Sequence, residues 1–112
     1  IKFNIMKEIR NLQEYKQLIE QGKPVLLDFY ADWCGPCQVL LPTVERLADK
    51  YDGEINIAKV NVDENRDLAM QFGIRSIPAL FFLKNGKIDK NLLGVQSEAT
   101  LEKEIQAYTV AV

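Results

Sequence analysis

Residues 25–37 read VLLDFYADWCGPC, and this stretch carries the strongest structural signal in the chain. Val25 to Ala31 is a nearly continuous apolar run, which is typical of a strand covered on both faces. Cys34 and Cys37 follow, three positions apart, and a helical pattern begins directly after them. That pattern consists of Val39, Leu40, Val44, Leu47 and Tyr51. We therefore predict a central strand that ends at two cysteines on the first turn of a helix.

The sequence before this stretch predicts one strand and one helix. We expect the strand over Lys2 to Met6, with Phe3 and Ile5 on one face. The helix begins after Asn11, a residue type that favours the N-cap, and ends at Gly22 to Pro24. Its apolar stripe consists of Leu12, Tyr15, Leu18 and Ile19.

The sequence after it predicts a strand, a short helix, a hairpin and a last helix. The strand covers the β-branched run Ile55 to Val62, and the short helix covers Arg66 to Phe72. Asn85–Gly86 separates the apolar runs Ala79 to Lys84 and Lys87 to Leu93, which is a strong signal for a two-residue type I′ turn. The last helix begins near Ser97.

The resulting order is β-α-β-α-β-α-β-β-α. Its alternating first part favours parallel strands, and its hairpin adds antiparallel ones. We therefore predict an α/β fold, with a mixed central sheet of five strands flanked by four helices, as one domain over residues 1–112. Sites in such sheets lie at the carboxyl ends of strands, which is where Trp33 to Cys37 falls.

Composition excludes several classes of function. The chain has 112 residues, of which 47% are apolar, and a formal net charge of −2. Lys and Arg are scattered, whereas a nucleic-acid binder usually carries a basic stripe. No apolar run approaches the ~20 residues that cross a bilayer. We expect neither nucleic acid nor a membrane as a partner.

The sequence contains no histidine and only two cysteines. Without histidine, Ser-His-Asp hydrolysis and Cys-His catalysis are excluded. A bridge between residues three apart closes too small a loop to hold a fold together, so the cysteines indicate chemistry. Two alternatives stay open: half of a zinc site shared across a dimer, or two thiols that meet by chance on a helix.

The spacing of the cysteines predicts thiol–disulfide exchange. Cys34 lies near the helix N-cap, where unpaired N–H groups and the helix dipole favour a thiolate, so we expect its pKa to fall. Cys37 lies one turn further on the same face, and we expect the strand-end position to expose the first thiol and to shield the second. Cys34 would attack a partner's disulfide and Cys37 would resolve the mixed disulfide, without metal or organic cofactor. Gly35 permits close approach of a partner, and Pro36 suits the first helical turn.

Two charged residues within predicted strands are candidates for proton transfer. Asp28 lies in the middle of an apolar strand, where desolvation raises the pKa of a carboxyl, and it would accept the proton of Cys37. Lys59 lies on the other central strand and would temper the charge of Asp28. The alternative is a buried ion pair without a catalytic role, or a lysine that extends to solvent.

Several segments together resemble the thioredoxin family. They are LLDFYADWCGPC, KVNVDEN, FGIRSIPAL and FLKNGK, and the likeness runs from about Asn11 to Tyr108. The resemblance implies the thioredoxin fold, the proton-transfer roles of Asp28 and Lys59, and a cis-proline at Pro78, where an X-Pro bond would otherwise be expected to be trans. Ser76 and Tyr30 depart from residues common in the family.

The resemblance also implies where partners dock and what the chain does. We expect an apolar docking patch beside the cysteines and a redox-active Cys34–Cys37 disulfide. The expected function is reduction of protein disulfides by a cytoplasmic monomer, itself reduced by a thioredoxin reductase. Alternatives are an oxidase or isomerase of exported proteins, or a binding subunit with incidental redox activity. The docking patch comprises Trp33, Gly35, Pro36, Ile77, Pro78, Gly94 and Val95.

Overall fold

The computed structural model describes residues 6–109, which form five strands and four helices. Their order confirms the predicted β-α-β-α-β-α-β-β-α. The elements are β1 (Lys7–Ile9), α1 (Leu12–Glu20), β2 (Val25–Tyr30), α2 (Gly35–Lys50), β3 (Asn56–Asn61), α3 (Arg66–Gln71), β4 (Ala79–Lys84), β5 (Lys87–Leu93) and α4 (Glu98–Thr109).

The first strand differs from the prediction. Residues 2–5 of the expected strand lie outside the described residues, and Met6 is not in a strand. The first described strand, β1, covers Lys7–Ile9, and only Ile9 is buried. Since Lys7 and Glu8 are charged, no apolar alternation marks this segment in the sequence. Its main-chain pairing with β3 defines it as a strand.

The sheet is mixed and has the order β1-β3-β2-β4-β5. Strand β2 lies at its centre, parallel to β3 and antiparallel to β4. All six residues of β2 are buried, as its unbroken apolar run predicts. Strand β2 is therefore the strand most completely enclosed by protein.

Alternate residues of β2 point into two separate cores. Leu27 packs with Tyr15 and Leu18 of α1 and with Leu68 of α3 on one face. Leu26 belongs to the core on the other face, where the packing helices are α2 and α4. The α2 and α4 residues in that core are Leu40, Val44, Leu47, Leu101 and Ile105. Each face of the sheet is thus covered by two helices.

Local signals in the sequence define both α1 and the hairpin. The Asn11 side chain accepts a hydrogen bond of 2.8 Å from the backbone N–H of Glu14, which caps α1. Asn85 and Gly86 both have positive φ, 54° and 76°, as a type I′ turn requires. The pairing of β4 with β5 shifts register between Phe82 and Leu83. No helix within residues 6–109 is long and apolar enough to cross a membrane.

Candidate active site

The two cysteines lie where the sequence predicts them, at the start of α2. Cys34 is the N-cap residue, in extended backbone conformation, and Cys37 lies one turn inside the helix. The two residues form a disulfide, with their Cα atoms 5.2 Å apart. The backbone N–H of Cys37 donates a hydrogen bond of 3.2 Å to the Cys34 sulfur. The Cys34 sulfur therefore occupies the position of an N-cap acceptor.

Both cysteines are more enclosed than a strand-end position suggested. We expected the first sulfur to be exposed and the second shielded, but Cys34 is only 4% exposed and Cys37 is 1% exposed. They pack with Tyr30 and Ala31, and the half-buried Ile77 covers them from another segment. The order of exposure is as expected, while its extent is limited by this packing.

The Ile77–Pro78 segment lies directly beside the disulfide. The Cys34 sulfur is 3.9 Å from the Ile77 carbonyl oxygen, and the Ile77–Pro78 peptide bond is cis, as the resemblance implied. The backbone N–H of Gly94 donates a 2.8 Å hydrogen bond to the carbonyl of Pro78. Gly94 is thereby tied to the segment that borders the cysteines.

Most of the expected docking patch is accessible. Trp33 is 72% exposed and Val95 is 50% exposed, and both Gly35 and Pro36 are exposed. Ile77 and Gly94 are half-buried, whereas Pro78 is buried. An exposed tryptophan beside a buried disulfide gives this end of the sheet an apolar contact surface.

Asp63 is a residue near the site that sequence reasoning missed. Its carboxylate accepts a 2.8 Å hydrogen bond from the indole N–H of Trp33, which fixes the ring although most of it faces solvent. The two residues are thirty positions apart, so no sequence spacing connects them. A strand-end position after β3 was the only available signal.

Asp28 is buried without a hydrogen-bond partner. It is 1% exposed, and no protein group within residues 6–109 hydrogen-bonds to either carboxyl oxygen. Desolvation raises the pKa of this carboxyl to about 7, and the positive charge of Lys59 opposes part of that rise. Lys59 is directly opposite Asp28 in the pairing of β2 with β3. Asp28 is thus a buried carboxyl that changes protonation near neutral pH.

Comparison with known proteins assigns the chain to a family. The family model described as thioredoxin matches residues 6–107. The chain belongs to the thioredoxin family. A thioredoxin of Chlorobaculum thiosulfatiphilum is 45% identical over 82% of this chain and 85% of its own length. One from Alicyclobacillus acidocaldarius is 44% identical over 81% of this chain and 87% of its own length.

Solved structures of thioredoxins resemble the whole fold. A mutant thioredoxin from Halobacterium salinarum superposes with a TM-score of 0.86 at 36% identity, covering 98% of this chain and 99% of its own. The thioredoxin of Malassezia sympodialis gives a TM-score of 0.88 at 30% identity, covering 98% and 96%. This chain is therefore a thiol–disulfide oxidoreductase with the thioredoxin fold. Disulfide reduction is the activity that family and Cys-x-x-Cys pair support, ahead of oxidation or isomerisation.

Proposed function

We propose that Cys34 is the attacking and Cys37 the resolving cysteine of a protein-disulfide reductase. The observation that carries this assignment is the hydrogen bond from the Cys37 backbone N–H to the Cys34 sulfur at the N-terminus of α2. In the reduced protein the same donor, together with the positive end of the helix dipole, stabilises a thiolate at Cys34. Cys37 is the more buried of the two, which suits a thiol that reacts only within the chain.

The reaction proceeds as two exchanges of sulfur. The Cys34 thiolate attacks one sulfur of a partner's disulfide, so that a mixed disulfide forms and the partner's other sulfur leaves as a thiolate. Cys37 then loses its proton and attacks the Cys34 sulfur, which releases the second partner thiolate and closes the Cys34–Cys37 disulfide. Two electrons pass to the partner, and protonation of its thiolates completes the reduction.

Asp28 serves as the base for the second exchange. Because its pKa is raised to about 7, the carboxyl can take up and release a proton at neutral pH, which is the condition for efficient general base catalysis. Asp28 shares a face of β2 with Tyr30, which packs against both cysteines, so a bridging water would connect the carboxyl with Cys37. Lys59 moderates the charge that Asp28 acquires.

The docking patch binds partner proteins around the disulfide. The indole of Trp33 and the side chain of Val95 supply exposed apolar contact area. The backbone carbonyl of Ile77, which precedes Pro78, lies beside the Cys34 sulfur. This position suits main-chain pairing with an extended segment of a partner. The remaining contributors are Gly35, Pro36 and Gly94.

The cellular setting follows from the chemistry. A dithiol that reduces other proteins needs an electron donor, and we assign that role to a thioredoxin reductase. The cytoplasm suits this cycle because its thiol pools keep such cysteines reduced. We also assign a monomer, since one pair of cysteines completes the exchange.

A disulfide-reduction assay with insulin as substrate tests the function. With NADPH and candidate reductases supplied, the wild-type protein should accelerate precipitation of the insulin chains. Cys37→Ser should accumulate mixed disulfides with substrate, detected on non-reducing gels, and Cys34→Ser should not. Equal trapping by the two variants would contradict the assigned roles, and absence of wild-type activity with every reductase would contradict the function.

A further inference from the structure

Three charged residues form a row across one face of the sheet. Glu8 of β1 is in register with Lys59 of β3, and Lys59 is in register with Asp28 of β2. Side chains in register on adjacent strands project from the same face, and each step across a sheet is ~4.8 Å. The row therefore has the order carboxyl, ammonium, carboxyl, with Lys59 in the middle.

Tyr30 links the outer end of this row to the cysteines. Its hydroxyl donates a 2.7 Å hydrogen bond to the Glu8 carboxylate, so the side chain reaches from β2 across β3 to β1. The Tyr30 side chain also packs with Cys34 and Cys37. Burial, followed by the hydrogen bond with Glu8, raises the pKa of Tyr30, so the hydroxyl stays a donor. Glu8 is thus connected to the active site through one tyrosine.

The Lys59 ammonium lies over the ring of Tyr30. Its Nζ atom is 5.5 Å from the ring centroid, within the range of a cation–π contact. Among the described residues, 6–109, Lys59 makes no ion pair within 4 Å, with Asp28 or with Glu8. The lysine charge therefore acts on Asp28 from a distance, without a direct ion pair.

We propose that Glu8 is a positioning residue for the exchange reaction, which acts on the Asp28 carboxyl through Tyr30 and Lys59. The hydrogen bond to Glu8 fixes the tyrosine ring, and the ring holds the ammonium away from Asp28. The negative charge of Glu8 also offsets part of the lysine field at Asp28. Both effects keep Asp28 protonated to a higher pH, so that it can exchange a proton near neutral pH during the reaction. The inference deepens the proposed function, on which it rests for the role of Asp28.

Few other ionisable groups face this carboxyl. Besides Lys59 from β3 and Tyr30 from its own strand, α2 brings the cysteine pair to the end of this face. Strand β4 places Leu80 opposite Asp28. The core on this face, including the contributions of α4, is otherwise almost entirely apolar. Glu8 is therefore the second carboxylate of this row, and its charge can offset the electrostatic effect of Lys59 on Asp28.

Glu8→Gln tests the proposal because glutamine keeps an oxygen for the Tyr30 hydroxyl and removes only the charge. Two strand spacings separate Glu8 from Asp28, so we expect the Asp28 pKa to fall by about half a unit, for charges roughly 10 Å apart in a partly hydrated setting. The direct measurement is the titration of the Asp28 carboxyl carbon by NMR in the oxidised protein. The pH midpoint for release of substrate from the mixed disulfide should move down equally.

Two control variants isolate the charge of Glu8. Glu20→Gln changes net charge equally on an exposed residue of α1, which packs on the opposite face of the sheet, and should leave the Asp28 titration unchanged. Glu8→Asp retains the charge but shortens the side chain that accepts the Tyr30 hydrogen bond, so it should shift the Asp28 titration by less than Glu8→Gln does. A shift in Glu8→Gln no larger than in Glu20→Gln, or an equal shift in Glu8→Asp, overturns the proposal. Because the NMR titration needs no catalysis, such a result leaves the reductase assignment standing.

Discussion

Replacing Asp28 with asparagine should remove a loss of stability that the wild type undergoes as the pH rises toward neutrality, by an amount that the burial of this residue sets. The carboxyl is 1% exposed, and its pKa is raised from 3.8 to about 7. Between these values the unfolded chain releases the proton and the folded chain retains it, so the stability of the wild type falls as the pH rises. The fall ends near pH 7, where the folded protein also ionises.

The size of the effect follows from the pKa difference. A rise of about three units, at 1.36 kcal/mol per unit, corresponds to about 4 kcal/mol of stability lost between pH 4 and pH 8. Asp28→Asn cannot ionise, so its free energy of unfolding relative to wild type should grow by this amount over the same range. Any cost of burying the amide is the same at each pH and cancels from the change.

Guanidinium unfolding of the oxidised proteins at several pH values measures this difference. Constant ionic strength keeps other charge effects equal between the two proteins. Asp52→Asn, at an exposed position, is the matched control and should show no such growth. The reasoning about Asp28 is refuted if the stability difference between Asp28→Asn and wild type is the same at pH 4 and pH 8.

Three further predictions concern the kinetics of Asp28→Asn and two substitutions that test the fold. Asp28→Asn should slow release from the mixed disulfide about 100-fold at pH 7 and leave the first attack nearly unchanged, because only the second step uses the base. Stopped-flow tryptophan fluorescence measures both steps. Equal slowing of the two steps would contradict the role of Asp28 as the base. Asn11→Ala removes the cap that Glu14 donates to and should cost about 1 kcal/mol in guanidinium unfolding, whereas Asn11→Ser should retain most of that stability. Gly86→Ala places a Cβ at φ +76°, 3.1 Å from a methyl carbon of Ile19, and should cost at least ~1 kcal/mol; unchanged stability would argue against the turn geometry.

Strong local signals made most of the fold predictable from sequence. The continuous apolar run of β2, the Asn85–Gly86 turn and the cap at Asn11 each specify local structure through residues close together in the chain. Strand β1 lacked such a signal, because its residues are mostly charged and its pairing partner, β3, lies about fifty positions away. Elements defined by long-range pairing alone are the ones that a local pattern misses.

The candidate site shows the same difference between features set by local sequence and features set by long-range contacts. The cysteines and their helix were predictable, since both reactive atoms and the positive helix end lie within four residues. The exposure of Cys34 was overestimated because Ile77 covers it from a segment forty-three residues away. The contacts of Trp33 with Asp63, and of Tyr30 with Glu8, also depend on distant pairing of strands. The reactive cysteine pair could be inferred from residues close together in the sequence. The contacts that surround it could be found only from the structure.

Strand β5 is an edge strand of the sheet, and its exposed edge is unsuited to pairing with a further strand. Six of its seven residues are exposed, and they include the charged side chains of Lys87 and of Lys90, which pairs with Glu104 of α4. Its register shift against β4 also interrupts the even spacing of main-chain groups that an incoming strand would need. A second molecule that paired with this strand would have to remove water from the Lys87 ammonium group and disturb the ion pair of Lys90 with Glu104. Crowded solutions of this protein should therefore stay free of β-linked aggregates from this side.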